Sequence, residues 1–321
     1  MIRSKRGKKE AIIAALILVC MGLTYALFSG GTGLFCGIAE DSARGAVPLA
    51  ADATTQRAAY GSIAEEAQRA ALFAYAGVEP NISLTYASED EAQGEEMASY
   101  TTSFAQSSSA RVHNIALAAQ ALDGCKVEEG KEFSFNTAVG ERTSERGYAN
   151  AKVIVNGEYT EGVGGGVCQV SSTLYNAWVL AGLDVVKVQG HSLPAGYVPM
   201  SQDATVSKYI DLVLKNSAHN AVYIRAQVVG TDLNIAIFGK KQPFKVTLFP
   251  EIEQIIPAGE EIEYVDYLPS GKEYLVTNTP APGYRTRLMA VYAYADGRTV
   301  KKQLRRDYYR PRNAKIHMIA D

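Results

Sequence analysis

The chain has 321 residues, 47% of them hydrophobic, and a formal net charge of −2. That length allows about two domains at roughly 150 residues each, the apolar content suffices for substantial cores, and the near-balanced charge gives no whole-chain attraction to nucleic acid. No Cys/His spacing forms a zinc motif, and the glycine run at 162–166 lacks the Lys-Ser/Thr ending of a phosphate-binding loop, so no metal and no nucleotide cofactor is expected.

Residues 1–10 carry Arg3, Lys5, Arg6, Lys8 and Lys9, and residues 11–28 then run without a charge, near the lower limit for a spanning helix. No small-x-small cleavage site follows, and Cys20 and Cys36 lack the small residue before them that a lipobox needs. A single uncleaved anchor is expected, with the basic cluster in the cytoplasm and the main domains outside the cell membrane. Residues 29–50, rich in Gly, Ala and Ser, read as a tether, and 63–75 as a short alanine-rich helix. Glu89-Asp90-Glu91 and Glu95-Glu96 read as a solvated acidic linker. The expected division is 1–28 basic segment and anchor, 29–97 tether, helix and linker, 98–242 main domain, and 243–321 a small β module.

The main domain reads as α+β. Residues 111–122 place Val112, Ile115, Ala119 and Leu122 on one helical face before Asp123-Gly124. Residues 152–159 carry an Asn-Gly hairpin signal, and 221–229 with 233–238 flank a second turn. Between them, Gly162-Val163-Gly164-Gly165-Gly166 runs into a helical pattern in which Val170, Leu174, Ala177, Trp178 and Ala181 share a face, and Gly182 stands where the helix ends. This helix is expected to pack on a mainly antiparallel sheet. The second unit shows strand-like runs at 263–268, 273–277, 287–294 and 299–304, separated by Pro/Gly turns, and so reads as a small all-β module.

Cys168 falls in the first turn of the glycine-led helix, where unpaired amides and the positive end of the helix dipole favour an anion and lower a thiol pKa. His191 follows a strand-like run at 183–188, and Asp203 precedes another at 209–214, so Cys168, His191 and Asp203 supply a nucleophile, a base and a group to orient the base. Gly164, Gly165, Gly166 and Gln169 are the candidate anion-binding elements, with Ser172 and Tyr175 on the Cys168 face expected to line a cleft. Against this stand two plainer readings. The glycines let the backbone pass close to a strand and the cysteine is packed, or Cys168 is joined to Cys125 in a disulfide of an exported chain.

The runs Tyr100-Thr101-Thr102-Ser103-Phe104, Arg111-Val112-His113-Asn114-Ile115, Phe133-Ser134-Phe135-Asn136, Arg142-Thr143, Arg146-Gly147-Tyr148, Gly164 to Asn176, His191-Ser192 and Asp203-Ala204-Thr205-Val206 closely resemble the VanW-like family over roughly residues 98 to 240. The resemblance implies a bacterial cell-envelope protein of a family named for an accessory member of glycopeptide-resistance clusters. The order of Cys, His and Asp also looks like the papain and transglutaminase arrangement, an analogy at the level of fold. Two features depart from it: 23 positions separate Cys168 from His191, and no glutamine shortly precedes Cys168. Pro282-Gly283-Tyr284, Asp296-Gly297 and Tyr309 resemble the five-glycine domain, which implies adhesion to wall polymer. Arg298, Lys301, Lys302, Arg305, Arg306, Arg310 and Arg312 would then meet anionic polymer, unless they form an ordinary solvated face.

Two functional classes follow. One is an enzyme of acyl transfer or amide cleavage on a peptidoglycan-type substrate, with Cys168 attacking, His191 moving the proton and Asp203 orienting His191. The other is a non-catalytic wall-binding module that grips a peptide carboxylate through the helix-start amides.

Overall fold

The computed structural model describes residues 94–319, apart from 156–157 and 270, together with the short strand Thr85–Tyr86 (β1). The expected anchor, tether and 63–75 helix lie outside these residues. Among the described residues no helix is long and apolar enough to cross a membrane.

Five antiparallel strands form the central sheet. They are β1, Glu95–Ser103 (β2), Cys125–Val127 (β3), Val222–Val229 (β9) and Asp232–Gly239 (β10), in the order β1-β3-β9-β10-β2. On β9 the buried residues Val222, Ile224 and Ala226 alternate, and on β10 the large ones, Leu233, Ile235 and Ile237, do the same, with the small Ala236 also buried between them. That is the period of two expected of a sheet with one packed face. On that face lie helices Ser109–Leu122 (α1) and Val167–Leu180 (α3), which also pack against each other. The α1 helix is started by the Ser108 side chain accepting from Arg111 N. The helix carrying Cys168 rests chiefly on β2 and β10.

The first half of β2 corrects the reading of Glu95-Glu96 as linker. Both residues are exposed, and they begin an edge strand registered against Phe238 and Gly239 of β10. Charge on an exposed edge blocks further strand pairing and looks, in sequence, like a solvated tether.

Smaller elements hold the rest of the domain. Glu132–Ser134 (β4), Asp184–Lys187 (β7) and Val213–Lys215 (β8) form an antiparallel sheet in the order β4-β8-β7, and Asn150–Val155 (β5) pairs with Glu158–Val163 (β6) as a hairpin. The strand expected at 209–214 is shorter and later. Ser207 to Ile210 form a turn, and the Asp211 carboxylate takes Ser134 Oγ (2.6 Å) and the Asn136 amide (2.9 Å) at the start of helix Phe135–Val139 (α2). Gly182 ends α3 with φ of 78°, and a Cβ there would come within 2.5 Å of the Phe244 ring.

The C-terminal unit is all β. Phe244–Ile256 (β11), Gly283–Tyr294 (β14) and Thr299–Tyr309 (β15) make one antiparallel sheet, and Glu260–Val265 (β12), Tyr274–Val276 (β13) and Ala314–Ile319 (β16) make a mixed one in the order β12-β16-β13, with β12 parallel and β13 antiparallel to β16. Leu288 of β14 is fully buried in the same core as α1 and α3, with Leu248 and Leu304 packed against it. The described chain is thus mainly antiparallel sheet with few helices.

Candidate functional site

The glycine run serves both close packing and backbone conformation. Gly166 caps α3 with φ of 109°, and Gly164 has φ of 82°. A Cβ on Gly165 would meet the Ala151 carbonyl carbon and Lys152 O at 2.7 Å; on Gly164 it would meet Arg142 Cβ at 2.9 Å; on Gly166 it would meet Arg111 Cγ at 2.9 Å. Only glycine lets the β5 backbone and two arginine stems approach the helix start so closely. The amides expected to cradle an anion are partly spent there. Val167 N donates to Gly164 O (3.2 Å), and Gln169 N donates to Gly166 O (2.9 Å).

The polar side of α3 is covered, which corrects the expectation of an open cleft along it. Residues 202–206 cross it, and helix side chains serve their backbone where a neighbouring strand otherwise would. Asn176 Nδ2 donates to Gln202 O (2.6 Å), Ser171 Oγ to Ala204 O (2.6 Å), and Ala204 N to Ser172 Oγ (2.9 Å). Ser172 is fully buried, and its hydroxyl also donates to Cys168 O (2.6 Å). Tyr175 is buried beneath the Arg305 guanidinium, 5.6 Å from its ring centre. The Gln169 side chain donates to Thr102 Oγ1 and Ser103 O, each at 3.0 Å, and accepts from Arg111 at 2.8 Å. Gln169, Ser172 and Tyr175 therefore hold the fold around the thiol, with their polar groups engaged internally.

Cys168, the second residue of α3, is a partly buried free thiol, and Val206 N donates to its sulfur at 3.5 Å. No bond joins it to Cys125, which is buried at the start of β3 with its sulfur 3.6 Å from Ala121 O. His191 is buried, with Nδ1 2.7 Å from Asp203 Oδ2, and the same carboxylate oxygen accepts the His191 amide at 2.6 Å. With Nδ1 committed to Asp203, Nε2 is the ring nitrogen left for the interaction between His191 and Cys168 that shifts both groups. The structure brings these three residues together.

Burial opposes every charge in this group, and the neighbours outweigh it. Burial raises the Cys168 thiol, but the hydrogen bond and charge of His191, the Val206 amide and the Arg142 charge leave it below an ordinary thiol. Burial would neutralise His191, yet Asp203 and Cys168 push it up to about 10. The Asp203 carboxyl, despite burial, is held below its usual range by His191 and Tyr309. The shifts all run toward the charged forms, the thiol and the carboxyl downward and the imidazole upward.

Five neighbours are not expected at the thiol from the sequence. Arg111 and Arg142, both partly buried, bring positive charge to bear on the thiol, and burial lowers each guanidinium. Tyr197 hydrogen-bonds Ser172, lies 5.9 Å from the Arg111 guanidinium carbon, and is pushed up by burial and by the thiolate. Arg305 and Tyr309 come from β15. Arg305 donates to Asp203 O (2.8 Å) and pairs with Asp307, so it is a buried cation and not one of the surface charges first grouped with Lys301 and Lys302. Within that group Arg306 pairs with Glu253 and Arg298 with Asp296. His113 is exposed and bonds Gly147 O (2.9 Å). The glycines at 164 and 166 were the available signal for the two arginines, since each leaves room for one arginine stem.

Residues 110–238 match the family described as VanW like protein. This segment is a VanW-like domain. The chain is 43% identical over 145 residues to "Uncharacterized protein YoaR" of Bacillus subtilis (strain 168), a match covering 45% of this chain and 48% of that protein. It is 30% identical over 139 residues to "Vancomycin B-type resistance protein VanW" of Enterococcus faecalis (strain ATCC 700802 / V583), covering 41% and 50% respectively. The match thus spans about half the length of each curated relative. Two solved structures, "Crystal structure of HP0197-G5" and "IgA1 Protease G5 domain structure", are 19% and 15% identical, with TM-scores of 0.15 and 0.19. They cover 24% and 26% of this chain and 99% of each of their own. Cys168, His191 and Asp203 all lie within the VanW-like domain, whereas Arg305 and Tyr309 lie outside it.

Proposed function

We propose that this chain is a membrane-anchored cell-envelope protein in which Cys168, His191 and Asp203 carry out acyl transfer or amide hydrolysis on peptidoglycan-type substrates. The chemistry rests on one observation above the others: His191 Nδ1 lies 2.7 Å from the Asp203 carboxylate, in a ring whose charge bears on the Cys168 thiol. A lowered thiol beside a raised imidazole favours an ionised nucleophile paired with a protonated acid. The Cys168 thiolate attacks a carbonyl carbon, forming an S–C bond and pushing charge onto the oxygen. The C–N bond then breaks as His191 Nε2 gives its proton to the leaving amine, which leaves a thioester. Water or an acceptor amine attacks the thioester, His191 takes the proton from it, and the thiolate departs. Because Val167 N and Gln169 N close the first turn, the developing oxyanion falls to the positive charge of Arg142 and Arg111. The same spent amides weaken the alternative of a module that merely grips a carboxylate at the helix start.

Incubating the protein with stem-peptide fragments of peptidoglycan should add an acyl mass to Cys168 and release an amine, and Cys168→Ala should do neither. No adduct and no released amine between pH 6 and 9 would reject the enzyme.

The envelope location is supported by the basic cluster preceding the uncharged run at 11–28, and by the likeness to the Enterococcus vancomycin resistance protein. Protease added to intact, wall-stripped cells should remove residues 98–321; complete protection of that region would overturn the location.

A further inference from the structure

We propose that Tyr309 and Arg305, both from the last long strand of the C-terminal β module, are positioning residues for the Asp203 carboxylate, so that the working site extends beyond the VanW-like domain. This rests on the thiol reading above. Tyr309 is fully buried, and its hydroxyl lies 2.6 Å from Ser201 N and 2.5 Å from Asp203 Oδ1. A backbone amide can only donate, so the phenol oxygen accepts from Ser201 and its own proton must go to Asp203. With Oδ1 held by Tyr309, Oδ2 is left to take both the His191 amide and Nδ1. The carboxylate thereby loses its rotational freedom, and the imidazole inherits one orientation toward Cys168.

Arg305 fixes the backbone of the same residue, since its Nη1 donates to Asp203 O at 2.8 Å. It sits against Gly190, where a Cβ would come within 2.8 Å of Arg305 Nη2 and Asp307 Oδ1. The residue before His191 is therefore glycine because the Arg305–Asp307 pair occupies its side-chain space. Just past β15, Arg310 N donates to Ser192 O (2.8 Å), and Thr286 Oγ1 of β14 bonds Ser201 Oγ (2.7 Å). The module thus clamps the His191 loop and the Asp203 loop together. Tyr309 also helps keep the carboxyl ionised.

The test is the pH profile of Cys168 alkylation by iodoacetamide in the protein carrying both the VanW-like domain and the β module. Tyr309→Phe keeps the buried ring and removes only the hydroxyl. Without that donor Asp203 protonates at higher pH, the imidazolium loses its anchor, and the thiolate is lost earlier on acidification. The acid limb should move to higher pH, with labelling at pH 6 slowed about three- to tenfold, as expected when a hydrogen bond to a charged group is removed. Arg305→Lys, which leaves a cation beside Asp307 but lacks the guanidinium fork, should shift the limb in the same direction by less. Thr286→Val loosens the same interface without touching Asp203 and should leave the limb in place; Tyr308→Phe, on an exposed neighbour, is a further control. Fast wild-type labelling with superimposable Tyr309→Phe and Arg305→Lys profiles would overturn the positioning role alone, as would a Thr286→Val shift equal to that of Tyr309→Phe. A wild-type thiol no faster than an ordinary cysteine would overturn both this role and the thiol chemistry.

Discussion

His191→Ala should slow alkylation of Cys168 at pH 6 by about ten- to a hundredfold. An ordinary thiol of pKa about 8.5 is ionised only about one part in three hundred at that pH, so a cysteine that loses its imidazolium partner loses most of its reactive form. The loss is smaller than the ionised fraction implies, because a thiolate of low pKa is intrinsically a weaker nucleophile. Cys125 serves as the control, being buried with its sulfur against Ala121 O, and should label slowly in both proteins. The rates are read by mass spectrometry of the two cysteine-containing peptides. Equal Cys168 rates in wild type and variant would remove His191 from the mechanism.

Asp203→Ala should destabilise the fold by about 3–5 kcal/mol near neutral pH, the usual consequence of taking one partner from a buried ion pair. The side chains of His191 and Asp203 are 7% and 1% exposed, so solvent screens neither. The variant strands three donors at once: His191 N, His191 Nδ1 and the Tyr309 hydroxyl. The linkage has a definite sign. His191 is raised from 6.5 to about 10 on folding, so its contribution is fully present below about pH 6.5 and is lost as pH rises through about 10. Asp203 is lowered, so its contribution is present above the ordinary carboxyl range and is lost on acidification through its folded value. Urea denaturation of wild type and variant should therefore differ most between these limits, and the difference should shrink above pH 10 without vanishing, because His191 N and the Tyr309 hydroxyl still lack their acceptor in the variant. A difference under about 1 kcal/mol at pH 7 would show the pair to be energetically idle.

The site was legible in proportion to how local its cause is. Cys168 stands out because a helix start, a glycine run and a 3.6-residue apolar stripe are written within twenty positions, and α3 follows that pattern from Val167 to Leu180. The order of His191 and Asp203 likewise pointed to the pairing seen. What was misread is the opposite face. Ser172 and Tyr175 are polar residues on the Cys168 side, and polarity at helical spacing usually means solvent or a cleft. Here it meets the backbone of residues 202–206, whose hydrogen-bonding groups need partners as much as side chains do, and no pattern in the helix announces that a loop will lie there. Glu95 and Glu96 were misread for the same kind of reason, because an edge strand and a linker share composition. Strands β11 and β16 escaped notice because the pairings that define them are set by partners elsewhere in the module. Tyr309 was out of reach altogether, since nothing near it in the chain points to a carboxylate 106 residues earlier.

That separation also bears on the order in which the protein is made. A chain emerging from its N-terminus presents Cys168, His191 and Asp203 well before Tyr309, and the bond to Asp203 closes a loop among the longest in the described chain. Contacts of such span form late, after the entropy of the intervening segment has been given up. The nascent Cys168, His191 and Asp203 can therefore meet before the Tyr309 hydroxyl is available, and the carboxylate gains its last hydrogen bond only when synthesis of the C-terminal strand is complete.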